Sequence, residues 1–492
     1  MGNLIKKRAK FFTASELSDL GKDNVPDELT TGKQLVYSSP ATLCYNSPGA
    51  EGYGVKRAGL SVPESVMLIV APGCCGRNTS IISNMPQYRH RFFYLEMNEN
   101  DLVTGKHLSR IPKAIKEICN TITNKWGEKA PSVVMICITC VDALLGTDME
   151  RVCRKAEEFI NSESLDDINK SGSEDDTEEV KSDNLSSDNV ADTEEKTGNK
   201  NRYIQVKPCY MYALTREGHC PPMVQVRQSI YSLLDNRTRK ANSVNILGHF
   251  DTLIPECELY DYLKAVGVKN IREIGACDTF DEFMKMSEAS FNIILNPEAV
   301  NAGKDLYERL KMPFLILNRL YYVEQIHKQY MAFAKAIGVK IDDGKEYDLC
   351  KIKIEEAKEL FSDYTFSIGE ALNADSFELA LALIRYGFKV DEIFAAVEKE
   401  KYIYIDRIAE LSPDTKIYSN MEPTMVFFGV FENQSKQKSK RICIGKDASY
   451  YHKDAVKLMW NEDIQPFGYM GVIKLFNALK KAVAEYKLGG DK

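Results

Sequence analysis

No uninterrupted apolar stretch in the sequence approaches the roughly 18 residues that a spanning helix requires, so no membrane partner is expected. The opening residues, MGNLIKKRAKFFTASELSD, carry basic side chains but no apolar segment of signal-peptide length, which points to a cytoplasmic protein. An excess of positive charge is also missing: 64 Lys and Arg stand against 71 Asp and Glu, a net charge of -7. Nucleic-acid phosphates call for a clustered basic surface, so nucleic acid is not an expected partner. The chain has no GxxxxGK[ST] and is not expected to cradle a nucleoside triphosphate itself. GxSxG and HExxH are absent too, and GYGVKRAG and IGKDAS read as lone glycine patterns without the strand-to-helix setting of a dinucleotide site. Histidine is scarce, with six in all. His219, in EGHCPP, and His249, after a strand in LGHFD, read first as satisfied surface or core side chains and second as pocket residues.

What is present is a long chain with a large apolar share. At 492 residues and 44% hydrophobic it predicts two to four compact units with ample cores. Segment 161–200 differs from the rest: it lacks aromatic residues and is dominated by Asp, Glu, Ser and Asn, so it cannot offset its ordering entropy and is expected to be a disordered acidic insertion. Elsewhere short apolar runs alternate with helical periodicities. VMLIVA at 66–71, VVMICI at 133–138, VNIL at 244–247, FNIIL at 291–295, PFLIL at 313–317 and RICI at 441–444 have the length and β-branched content of buried parallel strands. Helices are expected over 109–122, 258–266, 323–337 and 376–386. The expected fold class is α/β, with three serial Rossmann-like subdomains built on mostly parallel sheets. Its boundaries fall at an N-terminal extension 1–40, a first subdomain 41–242 carrying the insertion, a second at 243–310 and a third at 311–492.

Thirteen cysteines, an odd number spread from Cys44 to Cys443 without a signal peptide, argue against a disulfide framework. In open α/β sheets ligands bind beyond the carboxyl ends of strands, and two strands lead into thiols there. VMLIVAPG delivers Cys74 and Cys75, and VVMICIT delivers Cys140, with Cys137 still inside the strand; Cys44 lies in a Gly, Pro and Ser-rich loop upstream. Thiolates are soft ligands suited to iron-sulfur clusters or zinc. Three other readings stand beside that one. Cys137 and Cys140 have CxxC spacing, although a redox CxxC normally opens a helix. The pair with Cys74 and Cys75 offers a structural zinc site, although no second CxxC follows at the expected spacing. For Cys119, Cys153, Cys209, Cys257, Cys277, Cys350 and Cys443 buried packing is the default.

The local patterns then fall into one order: a loop cysteine before GYGVKRA, a strand ending in APGCCG, the stretch LEMNENDLVTGKHLSRIPKAIKEI, and a strand ending in CVDALLGTDME. This order resembles the nitrogenase component 1 family, and the likeness continues through VNILGHFD, FNIILNPEA, MPFLILNRLYYVEQIHKQYMAFAKAIG and GYMGVIKLFNAL. The resemblance implies that Cys44, Cys75 and Cys140 hold an iron-sulfur cluster, [4Fe-4S] or larger and P-cluster-like, with Cys74 the alternative to Cys75. It implies a paired component-1-like subunit, the same or a homologous chain, which completes the ligand set, and a separate ATP-dependent iron protein that donates electrons. In the family's dinitrogen-reducing subunit a cysteine after the strand matching FNIIL anchors the large cofactor, and here Asn296 stands there. No match to that subunit's cofactor histidine is found, His452 being the nearest in an unsuitable context. A second metallocofactor or a substrate would therefore be held without a cysteine anchor. The expected function is a nitrogenase-like oxidoreductase subunit that relays electrons to a bound substrate or cofactor other than dinitrogen. The alternative is a non-catalytic scaffold for metallocofactor assembly.

Overall fold

A computed structural model of the chain describes residues 8–30, 39–45, 50–73, 83–138, 145–162, 203–210, 220–420, 422–429 and 440–489. The chain divides into two compact units, Val55–Glu217 and a second made of Met1–Gly54 with Gly218–Lys492. The two-residue strand β1 (Phe12–Thr13) belongs to the second unit and is taken up below.

The first unit holds one four-stranded sheet. Its strands are β2 (Ser65–Ala71), β3 (Phe92–Glu96), β4 (Val133–Ile138) and β5 (Gln205–Pro208), in spatial order β3-β2-β4-β5 and parallel throughout. β2 and β4 are buried along their whole length, which is why both read as unbroken apolar runs. Ile111, Ile115, Ile118 and Ile122 recur at helical spacing and enter the core beside this sheet. The motif NENDLVTGK makes a helix entry: Asn98 Oδ1 accepts from the Asp101 backbone N–H at 2.9 Å, and Asp101 Oδ2 accepts from that of Asn98 at 3.1 Å. Gly105, at φ +69°, then turns the chain into the helix Lys106–Asn120.

The described chain runs two residues into the acidic segment expected at 161–200. Asn161 and Ser162 close the helix Met149–Ser162, and residues 163–202 lie outside the described residues. Asn161 is ordered because its side-chain amide clasps Ile204, accepting from the Ile204 N–H at 3.0 Å and donating to its carbonyl at 2.9 Å. The Glu157 carboxylate adds bonds from the Val206 N–H and the Tyr203 hydroxyl, both at 2.7 Å. Asn161 and Ile204, 43 positions apart, are thus held side by side. Replacing residues 163–202 with a short Gly/Ser linker is expected to keep the melting temperature within about 2 °C, read by circular dichroism, because loop length enters stability only logarithmically.

The second unit holds two sheets. One is formed by β6 (Lys240–Leu247), β7 (Asn270–Arg272), β8 (Ala289–Ile294) and β9 (Phe314–Ile316), in order β7-β6-β8-β9. β9 pairs with β8, so this sheet runs past the subdomain boundary at 310 expected from the sequence. The other is formed by β10 (Tyr364–Ile368), β11 (Lys389–Phe394), β12 (Lys416–Tyr418), β13 (Lys440–Ile444) and β14 (Val456–Leu458), in order β12-β11-β10-β13-β14. All pairings in both sheets are parallel except one: β1 adds to β12 antiparallel, with Phe12 opposite Ile417. Residues expected to form an N-terminal extension therefore complete a sheet, and the helix Ala14–Leu20 buries Ala14 and Leu17 in the core. The architecture is α/β with three mostly parallel Rossmann-like sheets. Among the described residues no helix is long and apolar enough to cross a membrane.

Candidate functional site

Each sheet changes direction at one place. The order reverses between β2 and β4 in the first sheet, between β6 and β8 in the second, and between β10 and β13 in the third. A crevice for ligands opens at the carboxyl ends of such strands.

In the first sheet β2 and β4 run level, with Ile69 opposite Cys137 and Val70 opposite Ile138. The sequence then continues from β2 toward Cys74 and Cys75 and from β4 toward Cys140; all three cysteines lie outside the described residues. Gly73, the last described residue after β2, faces Glu96 so closely that a Cβ there would sit 2.7 Å from Oε1. Cys137 is fully buried and its free thiol is hydrogen-bonded to that of Cys209, and this hydrogen bond, with burial, pushes the Cys209 thiol well up. The first half of the CxxC is therefore core. Cys119, Cys153, Cys209, Cys257, Cys350 and Cys443 are buried as expected, while Cys277 is only half-buried.

In the second unit Cys44 is exposed on the helix Pro40–Tyr45. Ser39 ties the start of that helix: its hydroxyl accepts from the Thr42 N–H at 3.1 Å and donates to Asp447 Oδ1 at 3.0 Å. Asp447 stands on the helix Lys446–Tyr451, which follows β13 across Gly445. IGKDAS therefore does sit between a strand and a helix, contrary to its reading from sequence. The approach is close at this reversal: a Cβ on Gly369, after β10, would meet the Ala448 N at 2.6 Å. Burial, and next the Glu370 charge, push the Asp447 carboxyl up to about 6.

In the second sheet the chain leaves β6 at Gly248-His249 and β8 at Leu295-Asn296. Gly248 has φ +120°, and a Cβ there would lie 2.7 Å from Asn296 Cβ, so only glycine lets the two exits touch. Asn296 Oδ1 accepts from the Glu298 N–H at 3.0 Å and starts the turn Pro297–Ala299. Asn296 thus caps a helical turn and offers no thiolate. His249 Nε2 lies 3.1 Å from Arg319 Nη2, which also donates to Gln465 Oε1 at 2.6 Å. Burial, then the charges of Arg319 and Arg227, hold His249 well below its ordinary pKa, so it is neutral. Arg227 pairs with Glu298 at 2.8 Å, donates to the Gly248 carbonyl at 2.8 Å and lies over the Phe250 ring at 4.4 Å.

Sequence reasoning missed Arg319 and Gln465, which meet only through the fold. His452 is committed to a buried ion cluster, with Nε2 2.7 Å from Glu392 Oε2 and Arg441 on the same carboxylate at 2.9 Å. His219 lies outside the described residues. No group of three or more His, Cys, Asp or Glu side chains suited to a metal ion occurs among the described residues.

The chain is similar to curated proteins named nitrogenase iron-molybdenum cofactor biosynthesis protein NifE. It is 31% identical to that of Mesorhizobium japonicum over 125 residues, 25% of this chain and 24% of that protein. It is 21% identical to that of Clostridium pasteurianum over 313 residues, 61% of this chain and 57% of that protein. The chain thus spans about a quarter of the first relative and little more than half of the second. A solved structure of nitrogenase Cp1 at pH 6.5 superposes with a TM-score of 0.64 at 15% identity, covering 94% of this chain and 96% of that one, a likeness of fold. The profile of the nitrogenase component 1 type oxidoreductases matches residues 51–169 and 210–374, more than half of the chain, and the chain belongs to that family.

Proposed function

We propose that this chain is the cluster-bearing subunit of a component-1-type reductase, with Cys44, Cys75 and Cys140 as ligands and Cys74 as the alternative to Cys75. The observation that carries the reading is the family match on a sheet whose adjoining strands β2 and β4 lead, level with one another, toward Cys75 and Cys140. Three thiols form a soft donor set that fits iron. When bound, the cluster supplies one-electron transfer. The chain's own residues hold and orient the partners of that transfer: Ser39, through Asp447, anchors the helix bearing Cys44. The carboxyl edge of the second sheet, beyond the touching exits of β6 and β8, receives the substrate or second cofactor, and His249 there is neutral and anchored by Arg319. With a capping Asn296 in place of an anchoring thiol, that substrate is other than dinitrogen. Three ligands need completing, so a paired subunit of the same type belongs to the assembly, and an ATP-dependent iron protein supplies electrons in the cytoplasm.

A second reading is a scaffold on which a metallocofactor is built and passed on, favoured by the similarity to cofactor biosynthesis proteins. Purified anaerobically with its paired subunit, the protein is expected to contain iron and to show a reducible paramagnetic signal. A Cys140→Ala chain is expected to lose most of that iron, and full retention would remove Cys140 from the ligand set. Reduction of a substrate with the iron protein and ATP supports the reductase; transfer of a bound metallocofactor to an acceptor, without turnover, supports the scaffold.

A further inference from the structure

Arg319 is a half-buried cation with no counter-ion among the described residues. Its hydrogen bonds go to neutral groups, the Leu372 carbonyl at 3.3 Å, Gln465 Oε1 at 2.6 Å and His249 Nε2 at 3.1 Å. Its Nε–H is sealed from solvent with no partner. Among the described residues no carboxylate pairs with it, and desolvation holds its pKa below the ordinary value. Buried charges are ordinarily paired, because an isolated one loses its hydration with nothing in exchange. The neighbouring cation, Arg227, does have its carboxylate, Glu298.

The donors around Arg319 point the same way. A guanidinium only donates, so His249 Nε2 accepts and the imidazole proton sits on Nδ1, which has no hydrogen-bond partner among the described residues. The Asn296 Oδ1 is occupied by the Glu298 N–H, which leaves its NH2 as a donor. Asn373 Nδ2 already serves Gln465 Oε1 at 3.0 Å, so the glutamine oxygen is engaged from two sides and makes no further demand on an incoming group. With Arg227 neutralised and His249 uncharged, the cluster carries one net positive charge at the β6–β8 reversal.

We propose that this cluster binds a carboxylate of the organic substrate or cofactor, with Arg319 as its counter-ion and His249 as a second donor. One unmatched charge suits a monoanionic carboxylate rather than a phosphate dianion. The inference rests on the reading of the β6–β8 crevice as the ligand site and adds the chemical class of the group held there. Arg319 and His249 are binding residues in this assignment.

The test uses the full-length chain without iron, so that it stands apart from the cluster. Acetate, lactate, inorganic phosphate and chloride are titrated at matched ionic strength and followed by calorimetry and melting temperature. Saturable binding of acetate or lactate is expected, weakened about tenfold or more in Arg319→Gln and unchanged in Arg407→Gln, whose exposed guanidinium pairs with Glu410. Should Arg319→Gln fail to fold, His249→Leu keeps the guanidinium and removes the Nδ1 donor, and a severalfold loss is expected there. Absence of saturable carboxylate binding, tighter binding of phosphate, or equal affinity in the folded variants overturns the assignment. An iron-bearing protein that binds no carboxylate defeats this inference alone; a carboxylate-binding protein without iron defeats the cluster reading alone.

Discussion

A Gly468→Ala chain is expected to lose on the order of 3–5 kcal/mol of folding free energy, a large part of what a protein has to spare. Gly468 opens the C-terminal helix Gly468–Gly489 at φ +61°, where an L side chain is strained. The larger effect is steric. A Cβ at this position would collide with the Glu258 carboxylate and the Tyr330 hydroxyl. Glu258 is buried and accepts from the Tyr330 hydroxyl at 2.7 Å, the Tyr469 N–H at 2.6 Å and the Met470 N–H at 3.2 Å, thereby satisfying the first turn of that helix. To admit a methyl group the carboxylate must give up these donors while it stays buried. Urea denaturation of the two chains measures the loss; a change under about 1 kcal/mol would show that the helix start relaxes freely.

The second large effect concerns pH. Glu378 is buried, and desolvation pushes its carboxyl up from 4.5 to about 8, with the neighbouring Asp375 adding in the same direction. Its two oxygens accept from the Tyr321 N–H at 2.9 and 3.2 Å, which offsets only part of that cost. Burial likewise pushes Glu273 up to about 7. A folded pKa above the unfolded one means that the folded state binds the proton more tightly. Stability is thus undiminished below about pH 4.5 and is lost as the pH rises through the folded value. For Glu378 the window is 4.5 to about 8, and the loss is on the order of 2–3 kcal/mol once structural relaxation is allowed for. Glu378→Gln is expected to recover this at pH 8 and to flatten the slope between pH 5 and 8. Urea midpoints across that range decide it, and an unchanged slope in the variant would assign the dependence to other groups.

Much of the fold is legible because buried parallel strands leave an unbroken apolar signature. β2 and β4, seven and six residues long and wholly buried, coincide with the runs that mark them. β7, β12 and β14, three residues each, are too short to carry a period, and β3 is only half-buried, so its sequence FFYLE does not separate from a loop. The position of β1 is illegible for another reason: two residues become a strand only through β12. The site divides in the same way. The cysteines near strand ends stand out because strand ends do, and Asn296 stands out by what it replaces. Arg319, His249 and Gln465 belong to three separate segments, and only the closed fold makes the guanidinium an unpaired charge.

The pairing of β1 with β12 also sets an order on synthesis. Thr13 leaves the ribosome about 400 residues before its partner Lys416. At roughly 5–20 residues per second this is an interval of about 20–80 s. In that time all of Val55–Glu217, whose sheet pairs only within itself, has been made and can close. β1 is thus translated well before the strand that seats it. Until β12 has been made Phe12 lacks the strand it pairs with, so over that interval β1 depends on being kept from other sheet edges.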